Sequence, residues 1–167
     1  GFEMTWTKVP DPVVYTHVPH YAPVNEPDTW LLNIAKSEGS DFNQLLVRYA
    51  LERFLYRLSQ SPHADRFLLK GALLFTLWYD MPHRPTRDAD LLGFGPSDLQ
   101  SISQTFREIA SITVDDGITF DPESVTADDI RKEAGYAGAL SLLMLIPGGA
   151  LVLILILAFG DWPALKR

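Results

Sequence analysis

The chain contains no cysteine among its 167 residues. Without thiols it can form neither a disulfide framework nor a thiolate metal site. This absence is compatible with a reducing compartment, and we expect a cytoplasmic location. The N-terminal stretch also lacks the apolar core of a signal peptide, because residues 1–27 contain five prolines and no hydrophobic run. Any metal site must therefore be built from oxygen or nitrogen ligands.

Positive charge is scarce as well. Lysine and arginine number 14 against 21 aspartates and glutamates, which gives a net charge of −7. This balance argues against nucleic-acid binding by bulk attraction. An RNA partner would need a local basic surface, for which Arg66, Lys70, Arg84 and Arg87 are the candidates. With 47% hydrophobic and 21% charged residues, the chain has the composition of a globular protein.

The spacing of apolar residues predicts alternating helices and strands. We expect an extended, Pro-rich N-terminal arm over residues 1–27 and one domain over residues 28–167. The first predicted elements are a short helix over 28–36, a long helix from a cap at Ser40 or Asp41 to residue 59, strand 67–69 and a buried helix over 72–79. They are followed by strand 87–92, a helix opened by residues 96–98 and ending near 111, strand 118–120 and a short helix or turn from Thr126. This order predicts an α/β (α+β) domain with a small mixed sheet flanked by helices.

Asp88 and Asp90 are the most informative residues. If their segment is a strand, the two carboxylates project from the same face. They repel each other unless a cation lies between them, and oxygen-only ligands suit Mg²⁺, which completes its shell with water and phosphate oxygens. Upstream, a strand turns at Gly71 into a helix, which is the usual place to bind a phosphate on backbone N–H groups. Together these features indicate nucleotidyl transfer.

The C-terminal segment over residues 140–159 has two interpretations, because it carries no charge. About 20 apolar residues are long enough to span a bilayer as a helix. The alternative is an apolar β-hairpin with strands 139–146 and 151–159, joined at Pro147, Gly148 and Gly149. We favour the hairpin, because Pro-Gly-Gly suits a turn better than the centre of a spanning helix. Continuous aliphatic strands are expected where both faces of a sheet are covered.

Two motifs give the chain a family resemblance. The sequence FLLKGALLF over residues 67–75 and the sequence HRPTRDADLLGFG over residues 83–95 resemble the AbiEii/AbiGii toxin-type nucleotidyltransferases. The predicted helix 41–59 and the segment Phe120-Asp121-Pro122 are similar to that family too. The resemblance extends over about residues 30–135. It implies a polymerase-β-like nucleotidyltransferase core.

The resemblance also implies a reaction and roles for residues. The reaction would be the Mg²⁺-dependent transfer of NMP from an NTP to an RNA acceptor of the tRNA type. The biological setting would be a toxin–antitoxin system in phage defence, with an antitoxin protein as partner. Asp88 and Asp90 would be the catalytic, Mg²⁺-binding carboxylates. Lys70, Gly71, Ala72 and Arg87 would bind the phosphates of the nucleotide.

The sequence departs from the family pattern in one respect. Related transferases carry a third carboxylate on a later strand, whereas the position five residues before Asp161 is Ile156. The chain also ends at Arg167, so we expect the C-terminal part of the family's fold to be missing. Both departures predict a transferase activity that is weak or lost. The alternatives are a non-catalytic nucleotide- or partner-binding module and a domain tethered to a membrane by residues 140–159.

Overall fold

A computed structural model of the protein describes residues 7–8, 27–71, 73, 88–128, 136–146 and 149–159. In chain order its elements are β1 (Thr7–Lys8), α1 (Pro27–Glu38), α2 (Phe42–Gln60), β2 (Phe67–Lys70), β3 (Asp88–Gly93), α3 (Leu99–Ala110), β4 (Thr119–Asp128), β5 (Tyr136–Ile146) and β6 (Gly149–Phe159). This arrangement confirms the predicted α/β class with a small mixed sheet. Apart from Leu73, the helix expected over residues 72–79 lies outside the described residues.

Helices α2 and α3 begin where their capping residues predict. The Asp41 carboxylate accepts a hydrogen bond of 2.9 Å from the Gln44 backbone N–H at the start of α2. Asp98 does the same for Ser101 at the start of α3, at 2.8 Å. Each cap satisfies a backbone donor that has no partner inside the helix. Both helix starts are therefore fixed by local sequence.

The six strands form one sheet in the order β1-β2-β3-β6-β5-β4. Strands β3 and β6 run parallel, and the other neighbours run antiparallel. Strands β5 and β6 pair with each other along their length, which confirms the apolar hairpin. The alternative of a spanning helix over residues 140–159 is therefore wrong. In the part of the chain that the structure describes, no helix is long and apolar enough to cross a membrane.

The short helix or turn expected from Thr126 is also wrong. Residues Thr126–Asp128 extend β4 and pair with Ser141 to Ala139 on β5. The register shifts between Asp121 and Thr126, around Pro122. Proline has no N–H to donate, so it is tolerated at an irregularity on an outer strand. Backbone pairing with β5 thus overrides the local turn preference of this segment.

The two faces of the sheet differ in their surroundings. One face packs against α2 and α3, and its residues Leu91, Leu155 and Leu157 are at most 1% exposed. The other, which we call the open face, carries Asp88 and Asp90 together with Ile154 and Ile156 of β6. Ile154 is 45% exposed there. The expectation that both faces are covered is therefore wrong for this part of the sheet.

A buried ion cluster joins α2 to the loop before β4. The Arg57 guanidinium is 1% exposed and binds Asp116 through two hydrogen bonds of 2.8 and 3.0 Å. Its Nε donates to the Ile112 carbonyl at 3.0 Å. Arg53 adds a hydrogen bond of 2.6 Å to Asp116, and the Tyr49 hydroxyl donates to the Asp116 carbonyl at 2.8 Å. No sequence motif predicted this cluster, because the α2 residues and Asp116 are about 60 residues apart in the chain.

Candidate active site

Asp88 and Asp90 lie on the same face of β3, as the strand periodicity predicts. Exposure alternates along the strand: Asp88 and Asp90 are half-buried, whereas Ala89 and Leu91 are 0% exposed and belong to the core. The apolar residues of the strand hold it against the helices. Its two carboxylates are therefore directed to the open face by packing on the opposite side.

The electrostatics of the pair favour a bound cation. Partial burial raises the pKa of the Asp90 carboxyl, and the neighbouring negative charge of Asp88 raises that pKa further. The positive charge of Lys70 opposes both effects. A cation near both carboxylates would relieve the repulsion that raises this pKa. The donor set, two carboxylates on a rigid strand, fits Mg²⁺ with water and phosphate oxygens as its remaining ligands.

Gly71 brings the backbone directly against this pair. Its φ of +76° lies in the region that favours glycine. A Cβ placed at Gly71 would collide with the Asp90 carboxylate. Lys70, the residue before it, is the Cα partner of Asp90 across the antiparallel β2–β3 pair and lies on the open face. The turn after β2 therefore passes close enough to Asp90 for one ligand to contact both.

The other predicted site residues are distributed differently. Ala72, Arg84 and Arg87 lie outside the described residues. Arg66 is described, but at the opposite end of β2: its Nε donates to the Phe94 carbonyl at 3.2 Å. Its Nη1 donates to the Thr105 hydroxyl at 3.2 Å. Arg66 therefore holds the loop that follows β3, at the end of β2 away from Asp90.

Strand β6 decides which residues adjoin the aspartates. In the parallel β3–β6 pair, Asp88 and Ile154 are Cα partners, and Asp90 and Ile156 are the next partners on the same face. Neighbouring strands lie about 4.8 Å apart. A carboxylate at either β6 position would share a cation with the pair, but both residues are isoleucine. Asp161 lies outside the described residues.

Across the part of the chain that the structure describes, no three His, Asp or Glu side chains are grouped so that they could hold a metal ion. The candidate site therefore consists of a carboxylate pair, a lysine and a glycine turn, with an aliphatic side. Sequence reasoning missed two of its features: the contact between Gly71 and Asp90, and the position of Ile154 beside Asp88. No local signal could have revealed the second, because β3 and β6 are separated by more than 50 residues.

The comparison with protein families agrees with this geometry. The family model described as "Nucleotidyl transferase AbiEii toxin, Type IV TA system" matches residues 53–143, which is more than half of the chain. This match identifies the class of the protein as that of the nucleotidyltransferase toxins. The chain belongs to the AbiEii family of that class. A comparison with curated proteins found no match, and a comparison with solved structures found none either.

Proposed function

We propose that the protein binds a nucleoside triphosphate with Mg²⁺ at the carboxylate pair of β3. The observation that carries this proposal is the contact between the Gly71 turn and Asp90, with Asp88 on the same face. Asp88 and Asp90 would hold the cation. Mg²⁺, when bound, neutralises the charge of the triphosphate and polarises its α-phosphate for attack.

The remaining residues of the site would bind the phosphates of the nucleotide. Backbone N–H groups after Gly71, Ala72 included, would donate to phosphate oxygens. Lys70 supplies a positive charge next to Asp90, and Arg87 would add a second one. The acceptor of the NMP group would be an RNA of the tRNA type. The protein would act in the cytoplasm as the toxin of a toxin–antitoxin pair, in defence against phage.

We also propose that transfer itself is slow or absent in this chain. Transfer needs a base for the attacking hydroxyl and a well-held cation, and a third carboxylate supplies both. The β6 residues beside the pair are Ile154 and Ile156, which can do neither. A nucleotide-binding module without turnover is therefore the second candidate function, and these two isoleucines favour it.

Two measurements on the purified chain test the proposal. The first is binding of a fluorescent ATP analogue with and without Mg²⁺. We expect binding that depends on Mg²⁺ and is lost in Asp88→Asn and in Asp90→Asn. Asp128→Asn is the matched control, because it removes the same charge from the same face at an exposed position of β4. Binding that does not depend on Mg²⁺, or that is retained in both β3 variants, would show that Asp88 and Asp90 are not the nucleotide site.

The second measurement is incorporation of radiolabelled NMP into bulk tRNA in the presence of Mg²⁺. We expect little or no incorporation by the wild-type chain. Robust incorporation that Asp88→Ala abolishes would contradict the proposed loss of activity. The same result would leave the proposed cation and nucleotide site standing, so the two parts of the proposal fail separately.

A further inference from the structure

The open face carries a strip of exposed and half-buried aliphatic side chains. We call it the apolar strip, and it consists of Leu143, Leu145, Val152, Ile154 and Ile156 on the central strands β5 and β6. Leu145, Val152 and Ile154 are 42, 57 and 45% exposed. Single exposed apolar residues are common, but a contiguous group on one sheet face is typical of an interaction surface. The polar pair within this area, Ser141 and Thr126, is internally satisfied by a hydrogen bond of 2.6 Å.

Carboxylates border the apolar strip on both long sides. On one side β3 contributes Asp88 and Asp90, the Cα partners of Ile154 and Ile156. On the other side β4 contributes Asp121 and Asp128, which have their Cα partners on β5. Partners across a ladder present their side chains to the same face. All four carboxylates therefore belong to the open face.

The spacing of these two acidic rows matches the width of a helix. Strands β3 and β4 are separated by three strand intervals, or about 14 Å. An α-helix with its side chains is about 10–12 Å wide. Along the strands, the six steps from Ala150 to Ile156 extend about 20 Å. That is the length of about 13 helical residues.

We propose that the apolar strip binds an amphipathic helix of a partner protein, whose apolar stripe is flanked on both sides by lysine or arginine. The stripe would pack on Val152, Ile154 and Leu145. The flanking cations would face Asp88 and Asp90 on one side and the β4 carboxylates on the other. The strip thus supplies contact area, and the acidic rows fix the orientation of the helix along β5 and β6.

Charge separates this partner from the other occupants of an apolar sheet face. A second copy of the chain would bring two pairs of acidic rows together, and each copy has a net charge of −7. Such like-charge contacts cost binding free energy. When no divalent cation is bound at Asp88 and Asp90, nucleic acids and anionic lipid surfaces would be repelled by the same carboxylates. A basic helix is the partner whose charges the face complements.

The test uses a fluorescein-labelled 14-residue peptide of leucine and lysine, with leucines at i, i+3, i+4 and i+7 spacing. Its binding to the full chain is followed by fluorescence anisotropy in EDTA, so that no cation occupies Asp88 and Asp90. A peptide of the same composition in scrambled order, and one with glutamate in place of lysine, serve as controls. We expect the striped Leu/Lys peptide to bind at least tenfold more tightly than either control. Equal binding of the scrambled peptide would overturn the proposal, because amino-acid composition without the helical stripe would then explain the binding.

Variants locate the binding surface. Val152→Thr with Ile154→Thr keeps β-branched side chains in β6 but makes the strip polar, and we expect at least a fivefold loss of affinity. Leu32→Ala with Leu99→Ala is the matched control, since these leucines are 39 and 38% exposed on α1 and α3. Equal losses in both pairs would overturn the proposal.

A second variant leaves the strip intact. Asp121→Asn with Asp128→Asn removes one acidic row, and we expect a several-fold loss of affinity. An unchanged affinity would overturn the assigned orientation and with it the proposal. Analytical ultracentrifugation of the wild-type chain tests whether a second copy of the chain covers this face. A dimer that the β6 double substitution dissociates would assign this face to a second copy and overturn the proposal.

Discussion

Replacing Ile156 with aspartate should convert the carboxylate pair into a three-carboxylate cation site. The new side chain would project from the open face beside Asp90, because the two positions are Cα partners in the parallel β3–β6 pair. Its carboxylate would lie about 5 Å from that of Asp90, one strand interval away. The same substitution removes an isoleucine that is only partly buried. The effect of charge should therefore dominate the effect of lost packing.

Without a divalent cation, the substitution should destabilise the fold. Two unit charges about 5 Å apart repel by about 3 kcal/mol at an effective dielectric constant of about 20. For a chain of this size, 1 kcal/mol corresponds to about 2–4 °C in the melting temperature. We therefore expect Ile156→Asp to melt about 6–12 °C below the wild type in EDTA.

With Mg²⁺ most of the stability difference between Ile156→Asp and the wild type should disappear. A ligand at about 100 times its Kd stabilises the folded state by about 2.7 kcal/mol, whereas one at its Kd contributes about 0.4 kcal/mol. A third carboxylate should lower the Kd of the site for Mg²⁺, so that a given Mg²⁺ concentration stabilises the variant more than the wild type. We expect 10 mM Mg²⁺, a concentration of about 100 times the variant's Kd, to raise the Tm of Ile156→Asp by about 5–10 °C. The wild type should gain about 1–2 °C.

Thermal melts followed by circular dichroism measure both quantities, in EDTA and in MgCl₂ at matched ionic strength. Ile156→Asn is the control for shape, since it lacks only the charge. Val152→Asp is the control for charge, because it lies on the same strand and face but two steps beyond Ile154. A Mg²⁺-induced Tm gain as large in Ile156→Asn or Val152→Asp as in Ile156→Asp would refute the reasoning from register.

Three further predictions concern the fold around the site. Gly71→Ala should abolish Mg²⁺-dependent nucleotide binding and lower the free energy of unfolding by about 1–3 kcal/mol. Residue 71 would keep its positive φ, and the new Cβ would collide with the Asp90 carboxylate. The nucleotide titration measures the first effect and urea unfolding the second. Arg57→Met should lower the free energy of unfolding by about 3 kcal/mol, the lower end for a broken buried pair, because Arg53 still neutralises Asp116. Burial raises the pKa of Tyr49 to about 12. Because this pKa is higher in the folded state, the free energy of unfolding should fall as the pH rises from about 10, the pKa of an unfolded tyrosine, to the folded-state value. The loss is at most about 2.7 kcal/mol. Urea unfolding at pH 9 to 12 should show it.

Each of these predictions has a matched control. Gly39→Ala also adopts a positive φ, of +65°, but its Cβ would meet no atom within 4 Å. The difference between the two glycine variants therefore isolates the collision, and equal losses would contradict it. Arg48→Met removes an arginine whose side chain is 44% exposed, so a loss as large as that of Arg57→Met would count against the buried cluster. Tyr49→Phe should show a smaller fall between pH 10 and 12, and an unchanged fall would assign the alkaline loss to other groups.

Local features of the fold could be predicted because neighbouring residues determine them. Asp41 and Asp98 cap α2 and α3 through backbone N–H groups three residues away. The alternation within β3 places Asp88 and Asp90 on one face whatever the strand pairs with. The hairpin followed from a turn signal between two aliphatic runs. In each case the sequence separation of the interacting groups is small.

Other features were decided by contacts between distant segments. Thr126 belongs to a strand because β5 offers backbone partners, which local propensity does not describe. Arg66 binds the loop after β3 because β2 pairs antiparallel with that strand. The open face is exposed because α2 and α3 pack on the opposite one.

The sequence by itself determined the two aspartates, their common face and the glycine turn before them. The family resemblance also led to the prediction that Ile156 departs from the family's pattern. Only the tertiary structure decided that Ile156 adjoins Asp90 and that Ile154 adjoins Asp88. The physical reason is that strand periodicity fixes the face of a side chain but not its neighbour. Neighbours depend on strand order and register, which the packing of the whole sheet selects.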